Sequence, residues 1–215
     1  MKKQWILRAV IYAIGVMILV VGATLGTKTG LGIDPVNAIP FALDGAFGIG
    51  FPFAVFIFFS ILIVLEFLIR GKHRRWRDLL QLPFSFVFSA LLGVLGNVLQ
   101  LPNELLWQRV LLLAMSIVLT GVGVSMIVNM QIVPNPADGM AQTLSCAMKK
   151  EMGLAKNIFD LTCVSTAFLI DLLFGTLWTS VGIGTVFSTI FIGRVIALFN
   201  RCFQKKMLVL AGLQE

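Results

Sequence analysis

Residues 34–37 read Asp34-Pro35-Val36-Asn37, and 101 positions later the chain reads Asn135-Pro136-Ala137-Asp138. The acid and the amide have changed places around a shared proline. Each tetrapeptide is a helix-start signature: Asp34 or Asn135 as N-cap, and proline at the first helical position, where its missing N–H costs nothing. Working outward at the same offset, Arg8 falls on Arg109, Ala13 on Ala114, Val21 on Val122 and Gly22 on Gly123. After a shift of a few residues Gly48 lies opposite Gly153 and Glu66 opposite Asp171. Later, Val87-Phe88-Ser89 lies opposite Val186-Phe187-Ser188. The pattern is two copies of helix, long connection, helix, helix.

The helices belong to a bilayer. Of 215 residues 58% are hydrophobic and 13% charged, and mean hydropathy is +0.96, against about 25% charged in a soluble domain. At roughly 20 apolar residues per crossing the chain has room for about six spans. Six runs are read: Trp5 to Thr27, Phe51 to Ile69, Leu79 to Leu99, Val110 to Met130, Ile158 to Phe174 and Leu177 to Phe199. Helices are the expected form, because every backbone polar group must be satisfied inside the segment. With the N-terminus inside, Lys2, Lys3, Arg8, the run Arg70 to Arg77, Lys149, Lys150, Lys156, Arg194, Arg201, Lys205 and Lys206 share one side. Only Lys28 and Arg109 fall on the other. This asymmetry places both termini in the cytoplasm. The N-terminal run is too long for a signal peptide and lacks a small-residue exit, so it reads as a retained helix.

Three spans per copy is an odd number, so the second copy enters the membrane from the opposite side. The expectation is an all-α membrane protein, a single domain over 1–215, built from two inverted three-helix repeats (1–100 and 101–215). Each repeat carries a short re-entrant or interfacial helix in its long connection, 28–50 or 131–156. The second short helix is the more polar, with Gln142, Thr143 and Ser145, and is expected nearer the cytoplasmic surface.

Two readings of the short helices stand side by side. Asp34 and Asp138 either only serve helix starts, or two helix N-termini from opposite faces aim at one polar cavity that Asp34, Asn37, Asn135 and Asp138 line. Asn97, an amide in an apolar span, needs a polar partner, and Asp160 is a costly charge expected to pair, with Arg194 suggested by shared depth. These six are the candidate substrate-binding residues. Glu66 stands four residues before Arg70 and reads as an interfacial helix-surface pair. Small residues every four positions (Gly22, Gly26, Gly30; Ser85, Ser89, Gly93; Thr185, Thr189, Gly193, Ala197) read as helix-packing faces. Trp5, Trp76, Trp107 and Trp178 fall near span ends, as aromatic belts do. The basic run with His73 reads as an orientation signal rather than a nucleic-acid site. Cys146, Cys163 and Cys202 have no metal-binding or redox spacing, and no catalytic motif is present, so no cofactor, metal or enzyme activity is expected.

Thr29-Gly30-Leu31-Gly32-Ile33-Asp34-Pro35-Val36-Asn37-Ala38 resembles a segment of the YczE/YyaS/YitT group of bacterial integral membrane proteins. Val181-Gly182-Ile183-Gly184-Thr185-Val186 with the later Ile192-Gly193 resembles a second. Val36 stands where that group often has Trp. The resemblance implies a multi-pass bacterial plasma-membrane protein and supplies no substrate. The leading functional expectation is a small inverted-repeat permease for a small polar solute or ion, whose partners are the bilayer and that solute. Homo-oligomerisation is left open. The alternatives are an S-component-like subunit of an ATPase-coupled importer, suggested by the chain's size and Ala9-x-x-x-Ala13, and a non-transporting accessory protein.

Overall fold

A computed structural model describes residues 2–73, 76–101, 104–176 and 180–213. Among them there are eight α-helices and no strand: α1 (Lys2–Lys28), α2 (Pro35–Phe47), α3 (Phe51–Arg70), α4 (Gln81–Val98), α5 (Leu106–Met130), α6 (Pro136–Met148), α7 (Met152–Phe174) and α8 (Ile183–Ala211). Two short 3-10 turns lie between α3 and α4. Six helices are long and apolar enough to cross a bilayer: Gln4–Lys28, Phe51–Arg70, Asp78–Val98, Leu106–Met130, Met152–Phe174 and Ile183–Ala211. The protein is therefore read as a multi-pass membrane protein. Much of the outer surface is apolar, as in Leu68, Phe86, Val98, Leu161 and Leu173, which suits a lipid-facing exterior.

The order long, short, long, long occurs twice. α1 and α5 form the most intimate pair in the molecule, because glycine brings their backbones together. A Cβ on Gly22 would stand 2.7 Å from the Thr120 nitrogen, and one on Gly15 would meet Met126 at 2.9 Å. Ser116 crosses the seam to donate to the Gly22 carbonyl at 2.7 Å. Gly22 thus packs closely, as its four-residue spacing suggested. The Thr189 and Gly193 end of the α8 stripe does not: both are exposed, and nothing stands within 4 Å of a Cβ on Gly193.

The short helices exchange partners between the halves. α2 packs mainly on α7, and α6 packs on α3 as well as on α7. Arg8 of α1 donates to the Met130 and Gln131 carbonyls at the end of α5, at 2.6 and 2.7 Å. A side chain expected to signal orientation therefore also caps a helix C-terminus, where a cation is favoured. At the end of α1, the Arg109 guanidinium lies 3.7 Å from where a Cβ on Gly30 would be.

The sixth span differs from the sequence reading. It begins at Ile183 rather than Leu177 and runs to Ala211. The preceding turn is committed to other bonds: Ser180 accepts from the Ile33 N–H at 3.1 Å, and Gly184 donates to the Leu31 carbonyl at 2.7 Å. The two glycine-rich motifs, 29–38 and 181–186, consequently lie against each other. Gly32 has φ +97° and no space for a Cβ beside Gly182 and Thr185, so glycine is required there. At the far end the helix continues past the basic cluster to Gly212, a left-handed cap at φ 67°. The fifth span likewise begins six residues earlier than read, at Met152 after the N-cap position Glu151.

Glu66, read as interfacial, proves fully buried, and so does its counterpart Asp171. Glu66 lies 3.7 Å from Arg70 Nη2, as its i, i+4 spacing suggested, yet it faces inward, accepts from Gln81 Nε2 at 3.1 Å and abuts Gly139 of α6. Arg70 also binds Asp78 at 2.5 Å and Thr143 of α6 at 2.7 Å. Asp171, the counterpart of Glu66, accepts from Ser180 N and Oγ at 3.1 and 2.6 Å and from Thr176 Oγ1 at 3.2 Å. Each acid ties the end of its helix to the segment leading into the next. Trp5, Trp76 and Trp107 are exposed. Trp178, and Arg74 and Arg75 of the basic run, lie outside the described residues.

Candidate functional site

Both short helices form as the proline signatures dictate. Asp34 has extended backbone (φ −61°, ψ 150°) and its carboxylate accepts from the Asn37 N–H at 3.3 Å. Asn135 has nearly the same conformation (φ −60°, ψ 140°), and its Oδ1 accepts from the Ala137 N–H at 3.1 Å. Pro35 and Pro136 follow each cap at the first helical position. In α6, Pro136 through Ala141 and Thr143 are buried, Asp138 among them, while Gln142 and Cys146 further along the helix are exposed.

The two helix starts converge. Asp34, Asn37, Asn135 and Asp138 line one cavity of about 100 Å³, with Asp160 from α7 beside them. Every helix contributes: Leu19 of α1 and Thr120 of α5 sit 101 positions apart in sequence, Phe59 and Phe88 come from α3 and α4, and Ser188 and Thr189 from α8. The apolar wall is stiffened by ring packing, Phe59 on Phe88 at 5.6 Å and Phe84 on Phe88 at 5.8 Å. One liquid water occupies about 30 Å³, so the volume suits an ion or a very small solute.

Asp160 does not pair with Arg194. Its partner is Lys156, one turn earlier on α7, whose Nζ stands 3.8 Å from Asp160 Oδ1 and 3.4 Å from Asp138 Oδ1. Arg194 is exposed and lies over the Phe191 ring at 5.8 Å, turned away by the helical register of α8. By sequence Lys156 reads only as an orientation charge. Its i, i+4 spacing to Asp160 was the available signal for a second role.

Asn97 stands apart. It is exposed, in a different depression with Lys28, Asp44 and Gly96. Ser89, two turns earlier on α4, is buried, but at the level of Asn97 the neighbour on α1 is Lys28, which donates to the Gly96 carbonyl at 2.9 Å.

The cavity's polar inventory is lopsided. Three carboxylates face one ammonium, Lys156, with Asn37, Thr120, Asn135, Asn157 and Ser188 around them. Asp34 lies outside the six spans; burial pushes its carboxyl above the ordinary range, while hydrogen bonds from Asn37 and the Lys156 charge act the other way. Among the described residues, no group of three or more His, Cys, Asp or Glu is arranged to hold a metal ion. Of the three thiols, Cys163 is buried, and Cys146 and Cys202 are exposed.

A family model matches residues 6–201, which is nearly the whole chain. The chain belongs to DUF6198, a family of unknown function. The match does not name the YczE/YyaS/YitT group that the glycine-rich motifs resemble. No curated protein and no solved structure matches the chain.

Proposed function

We propose that this DUF6198 protein is a small permease for a small polar solute or ion. In this reading its halves are inverted repeats, α2 and α6 are re-entrant, and both termini are cytoplasmic in a bacterial plasma membrane. The observation that carries the proposal is the meeting of the two proline-led helix starts in one cavity with several polar side chains, to which all eight helices contribute. Irregular backbone and helix ends are tolerated at membrane depth only where protein or water surrounds them, and central sites between inverted halves are how many secondary transporters are built.

Reciprocal contacts support the symmetry. Gly22 abuts Thr120 as Gly123 abuts Leu19, and Leu19 and Thr120 themselves correspond at the 101-residue offset. α2 packs on the second half's α7, as α6 packs on the first half's α3. The cavity volume argues against a vitamin-sized ligand and hence against the importer-subunit alternative. The test is flux in proteoliposomes against a panel of ions and small solutes, repeated with alanine at Asp34, Asn37, Asn135 and Asp138. A solute moved by the wild type and lost in these variants supports the proposal. Four well-folded variants that all move it at the wild-type rate overturn it.

A further inference from the structure

Two helix N-termini at one cavity suggest an anion, because their free N–H groups and dipoles favour negative charge. The hydrogen bonds point the other way. The first-turn N–H of Asn37 is already taken by Asp34, and that of Ala137 by Asn135. The chain supplies its own acceptors to these helix ends, a carboxylate at α2 and an amide oxygen at α6.

What remains unpaired is a set of acceptors. Six buried side-chain oxygens among the described residues have no hydrogen-bond partner, and four of them belong to residues lining this cavity: Asn37 Oδ1, Thr120 Oγ1, Asp138 Oδ2 and Asp160 Oδ1. Asn37 and Thr120 are only 5% and 7% exposed. The Asn37 amide has a fixed orientation, since its Nδ2 donates to both Asp34 oxygens at 3.1 Å and so turns Oδ1 away from Asp34. Lys156 does not satisfy the carboxylates fully. Its Nζ is 3.8 Å from Asp160 Oδ1, beyond hydrogen-bond reach, and its 3.4 Å approach to Asp138 Oδ1 is long for a charge-assisted bond. Buried oxygens of this kind are costly unless a donor reaches them.

We infer that the cavity binds a small cation bearing several N–H donors, of the ammonium or methylammonium class, held by Asn37, Thr120, Asp138 and Asp160. This rests on the permease reading for its biological sense and deepens it by naming the solute's chemistry. Ammonium brings four N–H donors and methylammonium three to the four open oxygens, the charge offsets the carboxylate excess, and the size matches a space of a few waters. An alkali cation offers charge without directed donors, and a quaternary ammonium offers charge without N–H.

The experiment is thermal unfolding of the purified full-length protein at constant ionic strength, titrated with methylammonium chloride, ammonium chloride, tetramethylammonium chloride, sodium chloride or sodium formate. A ligand that binds only the folded state raises Tm in a saturable way. Methylammonium and ammonium are expected to do so, and tetramethylammonium and sodium are not. Asp160→Asn and Thr120→Val are each expected to weaken the methylammonium response about tenfold. If a variant fails to fold, the wild-type titrations still decide the matter. Equal shifts from sodium or tetramethylammonium, a shift from formate alone, or no shift from either N–H cation would overturn the inference. Stabilisation by methylammonium without its flux in proteoliposomes supports this site and removes the permease. Flux of a neutral or anionic solute without stabilisation by N–H cations removes the site and keeps the permease.

Discussion

Gly123 on α5 lies so close to Leu19 on α1 that a Cβ on the glycine would stand 2.6 Å from the Leu19 backbone nitrogen. No flexible side chain can yield there, because the obstacle is backbone. Gly123→Ala and Gly22→Ala are each expected to lower stability by about 1–3 kcal/mol, the range for overpacking a close-packed interior. Gly193→Ala is the control, since open space surrounds its Cβ position. Thermal unfolding checks this: if Gly123→Ala melts with the wild type, α1 and α5 are further apart than described.

Lys156 sits between Asp138 and Asp160 at the cavity wall. Replacing it with Met leaves two buried carboxylates without their cation, and a loss on the order of 3 kcal/mol is expected. Adding Asp160→Asn should restore part of that loss, because one of the stranded charges is removed. A double-mutant cycle in which the two effects simply add would show that the charges do not interact.

Capping and charge can be separated at Asp34. Asn is as good an N-cap as Asp, whereas Ala costs about 1 kcal/mol. Asp34→Asn is therefore expected to keep the stability of α2 and Asp34→Ala to reduce it. A Tm for Asp34→Asn as low as that for Asp34→Ala would mean that the carboxylate contributes more than a cap to the fold.

Asp171 holds the turn into α8 through Ser180 and Thr176. Asp171→Ala strands the buried Ser180 N–H and hydroxyl, with an expected loss of about 1–3 kcal/mol. Asp171→Asn should lose less, because its remaining oxygen still accepts from Ser180 and the Thr176 hydroxyl can accept from the new amide. Hydrogen exchange at Ser180 should rise in the alanine variant and stay closer to wild type in the asparagine one.

The helix count and the two short helices were legible because hydrophobic length and the Asp-Pro and Asn-Pro signatures are local properties. Helix ends were less so. The sixth span starts late because Ser180 and Gly184 bond residues about 150 positions earlier in the chain, and no window of sequence contains both partners. The depth of Glu66 was hidden for the same reason: what covers it is Gly139 on α6, while the visible Arg70 spacing suggested a surface pair. Asp34, Asn37, Asn135, Asp138 and Asp160 come together in one place, and Asn97 does not. Residue type alone marks Asn97 as unusual in a span, but its surroundings depend on where the neighbouring helix ends.

The halves share a pattern but hold different postures. α3 lies along α4, with Phe56 and Phe86 in edge contact at 6.1 Å, whereas α7 and α8 scarcely meet. Thr162 and Ser165 of α7 and Thr189 of α8 are exposed. One seam is shut and its counterpart stands ajar. Under the permease proposal, halves that traded postures would reverse the open side with contacts already made once, closing α7 on α8 and prising α4 from α3 while the glycine-lined α1–α5 seam served as the fixed axle.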